Sequence, residues 1–297
     1  MPYEFLPAET IPEAVRRIYL EQLDRIGAHL GAGDVHGTRK RIKETRALLR
    51  LVRKALGERF VVENTWLRDA GHSLTGARDA EAMIEALEEL RKRTDDRDLR
   101  LDIGRAKRSM RARSRRLGAQ QTTASDLLAA ARSRSPLGAD LPDRFSTIGA
   151  GLEQTYRAGR RAFQRANDSH SPADLHALRR RVKDHWYQVR LLRTVAPDLL
   201  EPYAEAIERL SDFLGEHHDL TLLRDSLHRD RFSKLIDLAD GRRGELEKKA
   251  LSLAELLFAE GPRAWRNRIR GYWRLRPFGS KAERGSDSPV RPPGGVS

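Results

Sequence analysis

The chain has 297 residues, 39% hydrophobic and 34% charged, which is apolar enough to build a core and too charged for a membrane protein. It contains no cysteine, which excludes disulfides and thiolate metal sites, and it has no apolar run of about 18 residues that would mark a transmembrane helix. Lys and Arg number 57 against 43 Asp and Glu, and the resulting net charge of +14 attracts polyanions such as nucleic acid, anionic membrane or phosphate polymers.

The elements in chain order are helical. Met1 to Thr10 has no basic stretch followed by an apolar one, so no secretory signal is expected and the cytoplasm is the default compartment. Thr10-Ile-Pro-Glu13 reads as a capping box with proline in the first turn. Val15, Ile18, Tyr19, Leu23, Ile26 and Leu30 follow at the spacing of one buried helix face. A second helix is predicted from Asp34 to Leu56, stopped by Gly57. Further helices are expected over about 62–76, 79–93, 98–117 and 123–133. Ser135 to Pro142 is a turn-rich connector. The next helix carries Ile148, Leu152, Tyr156 and Phe163, and another starts at Ser171-Pro172 and ends before Pro197. Helices are then predicted at about 198–217, 219–237, 244–259 and 262–275, and the stretch 277–297, rich in Gly, Pro and Ser, is expected to be a disordered tail. Runs of alternating Val, Ile and Thr are missing, so the fold class is all-α.

The chain repeats itself. Asp34-Val-His-Gly-Thr-Arg-Lys-Arg-Ile-Lys43 matches Asp174-Leu-His-Ala-Leu-Arg-Arg-Arg-Val-Lys183 without a gap, at an offset of 140 residues. In the same register Arg50-Leu51 meets Arg190-Leu191, Arg53 meets Arg193, and Asp79 meets Asp219. Two copies in one register imply two antiparallel helical bundles related by a pseudo-twofold axis, with halves of about 8–135 and 143–276. On a helical wheel Val35, Ile42, Leu49, Val52 and Leu56 form the apolar stripe of the first copy, and Leu175, Leu178, Val182, Val189 and Leu192 that of the second. Beside the first runs a cationic stripe of His36, Arg39, Lys43, Arg46, Arg50 and Arg53, with Lys40 next to it. The second copy has His176, Arg179, Lys183, Arg190 and Arg193, with Arg180 alongside. A like-charged stripe repels itself, by a few tenths of a kcal/mol per i,i+4 pair. Glu44 and Asp184 lie off the stripes. One reading is a solvated basic face; the other is a rail of cations spaced to meet a repeating anion, with Arg forks and Lys point charges on phosphate oxygens.

These residues resemble the CHAD family, the conserved-histidine α-helical domain, whose hallmark is an H-x-x-R-x-x-x-[KR] helix occurring twice. The copies here are His36-x-x-Arg39-x-x-x-Lys43, with Arg78-Asp79 downstream, and His176-x-x-Arg179-x-x-x-Lys183, with His218-Asp219 downstream. Tyr156-Arg157-Ala-Gly-Arg160-Arg161 is similar to the basic helix before the second copy, and Leu257 to Pro262 with Tyr272-Trp273 to the closing helices. The resemblance covers roughly 8–276. It implies two antiparallel bundles around a basic central groove, binding of inorganic polyphosphate, and no catalysis; it therefore adds Arg157, Arg160 and Arg161 to the candidate ligand-binding residues. Nothing in the chain resembles the tunnel-enzyme domain to which such domains are sometimes fused. Two departures stand out: Glu44 and Asp184 occupy positions where a further cation is common, and Trp186 stands where an Arg is common. Gly37 inside the first basic helix is expected to weaken it by about 1 kcal/mol relative to Ala.

Other chemistries are less well supported by the sequence. His217-His218-Asp219 contains the His-Asp pair of metal-dependent phosphohydrolases, but adjacent helical residues point about 100° apart, and an upstream His and a distant Asp would have to converge; only His185 and Asp237 can be nominated. No metal, cofactor or catalytic residue is therefore expected. Arg263 to Arg270 with Trp265, Tyr272 and Trp273 admit nucleic-acid stacking, although aromatics amount to only 6% and more often anchor a terminal helix. Inorganic polyphosphate is the expected partner, in the cytoplasm or at polyphosphate granules. Nucleic-acid binding and a phosphohydrolase are the alternatives. A monomer suffices to build the site.

Overall fold

The computed structural model describes residues 3–116, 137–138 and 140–276, and of 75–81 and 113–116 only the backbone. The helix expected over 123–133 and the tail over 277–297 lie outside the described residues. Among the described residues there are helices and no strand. They are α1 (Ile11–Gly31), α2 (Val35–Leu51), α3 (Arg53–Leu56), α4 (Glu58–Ser73), α5 (Thr75–Arg91), α6 (Arg97–Arg116), α7 (Ser146–Ser169), α8 (Pro172–Leu192), α9 (Pro197–Ser226), α10 (Arg229–Leu257) and α11 (Pro262–Leu275). No helix among the described residues is long and apolar enough to cross a membrane.

The helix starts follow from side-chain chemistry. The Thr10 hydroxyl accepts from the Glu13 backbone N–H, and the Glu13 carboxylate accepts from the Thr10 N–H, completing the capping box of α1. Asp34 caps α2 by accepting from the Gly37 N–H at 2.8 Å, and Ser171 caps α8 by accepting from the Asp174 N–H at 3.1 Å. Gly37 has a use that its helix propensity hides. A Cβ there would overlap Asp34 Oδ2 and His29 Nδ1, which meet each other at 2.8 Å over the first turn of α2.

Three helices differ from the expected boundaries: α10 runs unbroken through 238–243, where a gap between helices at 219–237 and 244–259 was expected, and the chain breaks instead at 227–228. The segment predicted to run unbroken from Asp34 to Leu56 breaks at Val52, and the one-turn α3 ends at Gly57, whose φ of +55° suits glycine. At the break, α7 crosses so closely that a Cβ on Gly151 would overlap the Leu51 carbonyl. Conversely, α9 runs straight through His217-His218-Asp219, where a boundary was expected. Leu214, His217, Leu220 and Leu223 continue its buried face, and the segment holds no terminating residue.

The main core gathers α1, α2, α4, α7, α8, α9, α10 and α11. All ten apolar stripe positions of the two copies are buried except Val35, which is half-buried. A second core joins Met83 to Met110 of α5 and α6 to Leu220 to Leu246 of α9 and α10. Each core thus draws on residues from both sequence halves, and α2 packs against α8. The N-terminal segment locks on through Phe5, whose N–H donates to the Leu191 carbonyl at 2.8 Å, and Tyr3, whose hydroxyl donates to the Glu44 carbonyl at 2.7 Å.

The α7 crossing yields a stability prediction. Gly151→Ala overpacks the α2 end and is expected to cost about 2–3 kcal/mol. Gly27→Ala, in α1 with open space around its Cα, is expected to gain up to about 1 kcal/mol. Urea unfolding of both variants checks the pair; equal stability of the two contradicts the packing account.

Candidate functional site

Packing of α2 against α8 brings the two matching sequence segments together, and their charges interlock. Arg50 Nη1 donates to Asp184 Oδ1 at 2.8 Å, and Arg190 Nη1 donates to Glu44 Oε1 at 3.2 Å. These pairs exchange under the 140-residue offset, so each helix supplies the acid for the other's arginine. Each acid also holds an arginine on its own helix: Arg41 with Glu44 at 2.7 Å and Arg181 with Asp184 at 3.4 Å. The Glu44 carboxylate is fully buried, whereas Asp184 keeps 15% of its side-chain exposure. Arg190 also lies over the Trp186 ring, 4.9 Å from its centroid, so Trp186 supports the guanidinium by a cation–π contact.

The other candidate residues divide by location. Lys43 of α2 and Arg179 and Arg180 of α8 lie near enough to His176 for their charges to push its pKa down, after burial, the larger cause. His176 Nδ1 meets His218 Nδ1 of α9 at 3.2 Å, with ring centroids 4.1 Å apart. One imidazole donates and the other accepts, which requires at least one neutral ring. Burial, then His176 and Arg179, bring His218 down to about 3. Lys183 and Arg179 face Asp212 of α9, whose pKa burial raises. Toward α4, Arg39 Nη1 donates to the Gly71 carbonyl at 2.9 Å, and Arg46 Nε donates to Asn64 Oδ1 at 3.0 Å. Burial, then the positive Arg50, lower the Arg46 pKa to about 10, leaving it charged at neutral pH. His36 is exposed near the start of α2, and Lys40 and Arg180 make no ion pair among the described residues.

The α7 residues lie elsewhere. Arg157 is paired with Glu153 and lines a cleft against α3 and α11. Arg160 Nη1 donates to the Glu260 carbonyl at 3.3 Å, at the α10–α11 junction, and Arg161 is exposed. A signal in the sequence existed for this split: Glu153 precedes Arg157 by four residues, the spacing of an intrahelical pair.

The histidines proposed for a hydrolase separate in space. His217 is buried toward Arg243 and Glu247 of α10, and burial lowers its pKa to about 4; its neighbour His218 faces His176. His185 lies fully buried among the rings of Tyr156, Tyr203, Phe258 and Trp265. The Tyr203 hydroxyl donates to the Leu257 carbonyl at 3.2 Å, so His185 Nε2–H donates to Tyr203, and burial lowers the His185 pKa to about 3. Asp237 is exposed and pairs with Arg229. Among the described residues no group of three or more His, Asp or Glu is placed to hold a metal ion. The side chain of Asp79 lies outside the described residues. Trp265 and Trp273 are buried, as befits anchors of the last helix, with Tyr272 half-buried beside them.

Compared with known proteins, residues 17–228 match the family model described as the CHAD domain. No curated protein matches.

Two predictions follow from the site's electrostatics. Glu44→Gln leaves Arg41 and Arg190 facing a buried uncharged amide and is expected to cost about 3 kcal/mol. Asp184→Asn, with partners in contact with water, is expected to cost about 1 kcal/mol. Denaturant midpoints decide; equal costs contradict the burial argument. The pH dependence follows from His185, His217, His218 and His176, all shifted down on folding. The unfolded chain binds more protons below about pH 6.5, so stability is present above that pH and is lost as pH falls through it. His185 alone loses about 1.4 kcal/mol per pH unit. Unfolding series from pH 7.5 to 5 should show the decline; a flat or rising profile contradicts it.

Proposed function

Because the chain belongs to the CHAD family, which is associated with polyphosphate-related proteins, we propose that it binds inorganic polyphosphate along the α2–α8 seam as a binding module without catalysis. The observation that carries this reading is the convergence of Lys43, Arg179 and Arg180, from two helices, on the His176–His218 pair. The reciprocal pairs engage Arg50 and Arg190 with acids, and we assign ligand contact to Lys43, His176, Arg179, Arg180 and Lys183, with His36, Arg39 and Lys40 from the start of α2. A phosphate chain offers one charge per unit and no bases, which suits cations without a stacking platform. Binding is driven largely by counterion release, so affinity falls steeply with salt. Phosphate oxygens beside His176 and His218 favour their protonated forms and offset the depression by Lys43, Arg179 and Arg180. Affinity therefore rises as pH drops toward 6. One protomer carries both copies, so the site needs no partner subunit. Localisation at polyphosphate granules is the cellular role we infer from such binding.

The test is binding of long-chain polyphosphate at physiological salt, with single-stranded RNA of equal charge as competitor. Arg39→Ala/Lys43→Ala and Arg179→Ala/Lys183→Ala are each expected to weaken binding and to lower the salt slope by about 1–2, while RNA fails to displace the ligand. His176→Asn is expected to flatten the rise in affinity between pH 8 and 6. Equal competition by RNA, or undiminished binding by both double variants, overturns the reading in favour of a nucleic-acid binder or bulk charge. Phosphate release on adding Mg²⁺ or Mn²⁺, abolished by Asp219→Asn, would make the protein a phosphohydrolase instead.

A further inference from the structure

We propose a second phosphate-binding site in the cleft between α3, α7 and α11, built from residues outside the α2–α8 seam. The cleft encloses about 1030 Å³, and its cations come from four separate segments: Arg53 and Lys54 of α3, Arg144 from the turn before α7, Arg157 of α7, and Arg266 and Arg270 of α11. A single carboxylate, Glu153, is among the lining residues. It is paired with both Arg157 and Arg266, the latter at 2.8 Å. Arg266 also donates to Asn267 Oδ1 at 3.2 Å, while Arg157 is engaged only by Glu153 among the hydrogen bonds of the described residues and keeps further N–H donors for a ligand. Lys54 and Arg144 make no ion pair among the described residues. Like charges gathered on a concave wall of low dielectric reinforce one another's field, and the cost of that repulsion is relieved by a bound anion.

The second sequence copy gives a contrast. Arg193, which matches Arg53 at the 140-residue offset, is closed by ion pairs with Glu4 and Glu201. Arg53 instead lies over the Phe60 ring, 5.2 Å from its centroid, and no carboxylate is paired with it among the described residues. The acids that neutralise one copy are thus missing from the other, where the cleft opens.

The aromatic rings decide the ligand class. Arg53 covers a face of Phe60, Arg276 lies 3.6 Å over the Trp273 ring, and Phe145 tilts against Trp273 with centroids 6.2 Å apart. Phe145 and Trp273 are also buried. Of the rings lining the cleft, Phe145 and Trp273 are buried and Phe60 already carries Arg53 on one face, which favours phosphate oxygens over a stacked base. Its ligand is a short run of inorganic phosphate, the same chemistry as in the seam. The cleft begins about 15 Å along the α2–α3 path from Lys43. A long chain thus has two places to attach, and the second raises avidity without any new contact in the first.

Calorimetric titration of the full chain with inorganic tripolyphosphate tests this. Lys54→Gln/Arg144→Gln/Arg270→Gln removes three exposed charges from the cleft, and Arg179→Ala/Lys183→Ala disables the seam. The wild type is expected to bind two molecules, and each variant one, at unchanged thermal midpoints. Wild-type stoichiometry and affinity in the cleft variant overturns the proposal, even if the seam variant behaves as predicted. Complete loss of binding in the seam variant overturns it too, as does absence of binding to the wild type. Displacement of the cleft-bound anion by single-stranded RNA of equal charge would assign the cleft to nucleic acid and refute the phosphate-only chemistry.

Discussion

Two strongly basic helices cannot lie against each other unless their charges are met where they touch, and at the α2–α8 contact they are met reciprocally. Glu44 of one helix holds Arg190 of the other, and Asp184 holds Arg50. At close range in a partly desolvated interface, two uncompensated guanidiniums would repel by several kcal/mol. The acids remove that cost at the contact, while Lys43, Arg179 and Arg180 gather around His176. The same pairs dictate the register of α2 on α8, because a shift by one residue separates both at once. Stability and the concentration of positive charge thus depend on one four-residue arrangement.

The remainder of the fold supports that contact. Gly151 lets α7 press onto the carbonyl end of α2. Tyr3 and Phe5 fasten the N-terminal segment to α2 and α8 through the Glu44 and Leu191 carbonyls. Behind α8, the His185 cage joins Tyr156 of α7, Tyr203 of α9 and Trp265 of α11; Tyr156 and Tyr203 both donate to the Leu257 carbonyl. A neutral imidazole at the centre of this cage satisfies Tyr203 without placing a charge in the core. His217 and His185 therefore serve packing, and only His176 and His218 among these histidines stand beside the cations of the seam.

Local features were legible in the sequence. The Thr10 and Ser171 caps, both apolar stripes and the burial of Trp265 and Trp273 follow from spacing and residue type alone. What escaped were relations between helices. A wheel drawn for α2 places Glu44 off its own cationic stripe; that Glu44 neutralises the stripe of α8 becomes visible only when the helices meet. Gly37 scores as a weakness by propensity, yet it makes room for His29 on the Asp34 cap. The break at Val52 has no glycine or proline to announce it, and the unbroken α9 was obscured by an eye-catching His-His-Asp run. Arg157 shares a segment with Arg160 and Arg161 in the sequence, while its side chain turns toward a different cleft. Periodicity reports which face of a helix is buried and is silent on which partner it meets.

The central claim is that the histidine end of the α2–α8 seam receives phosphate, and a crystal structure of the protein with bound polyphosphate tests it most directly. The account predicts phosphate groups within hydrogen-bond distance of Lys43 and Arg179, with Arg50 and Arg190 still engaged with Asp184 and Glu44. Phosphates found only at other surfaces, with no density along the seam, would contradict it.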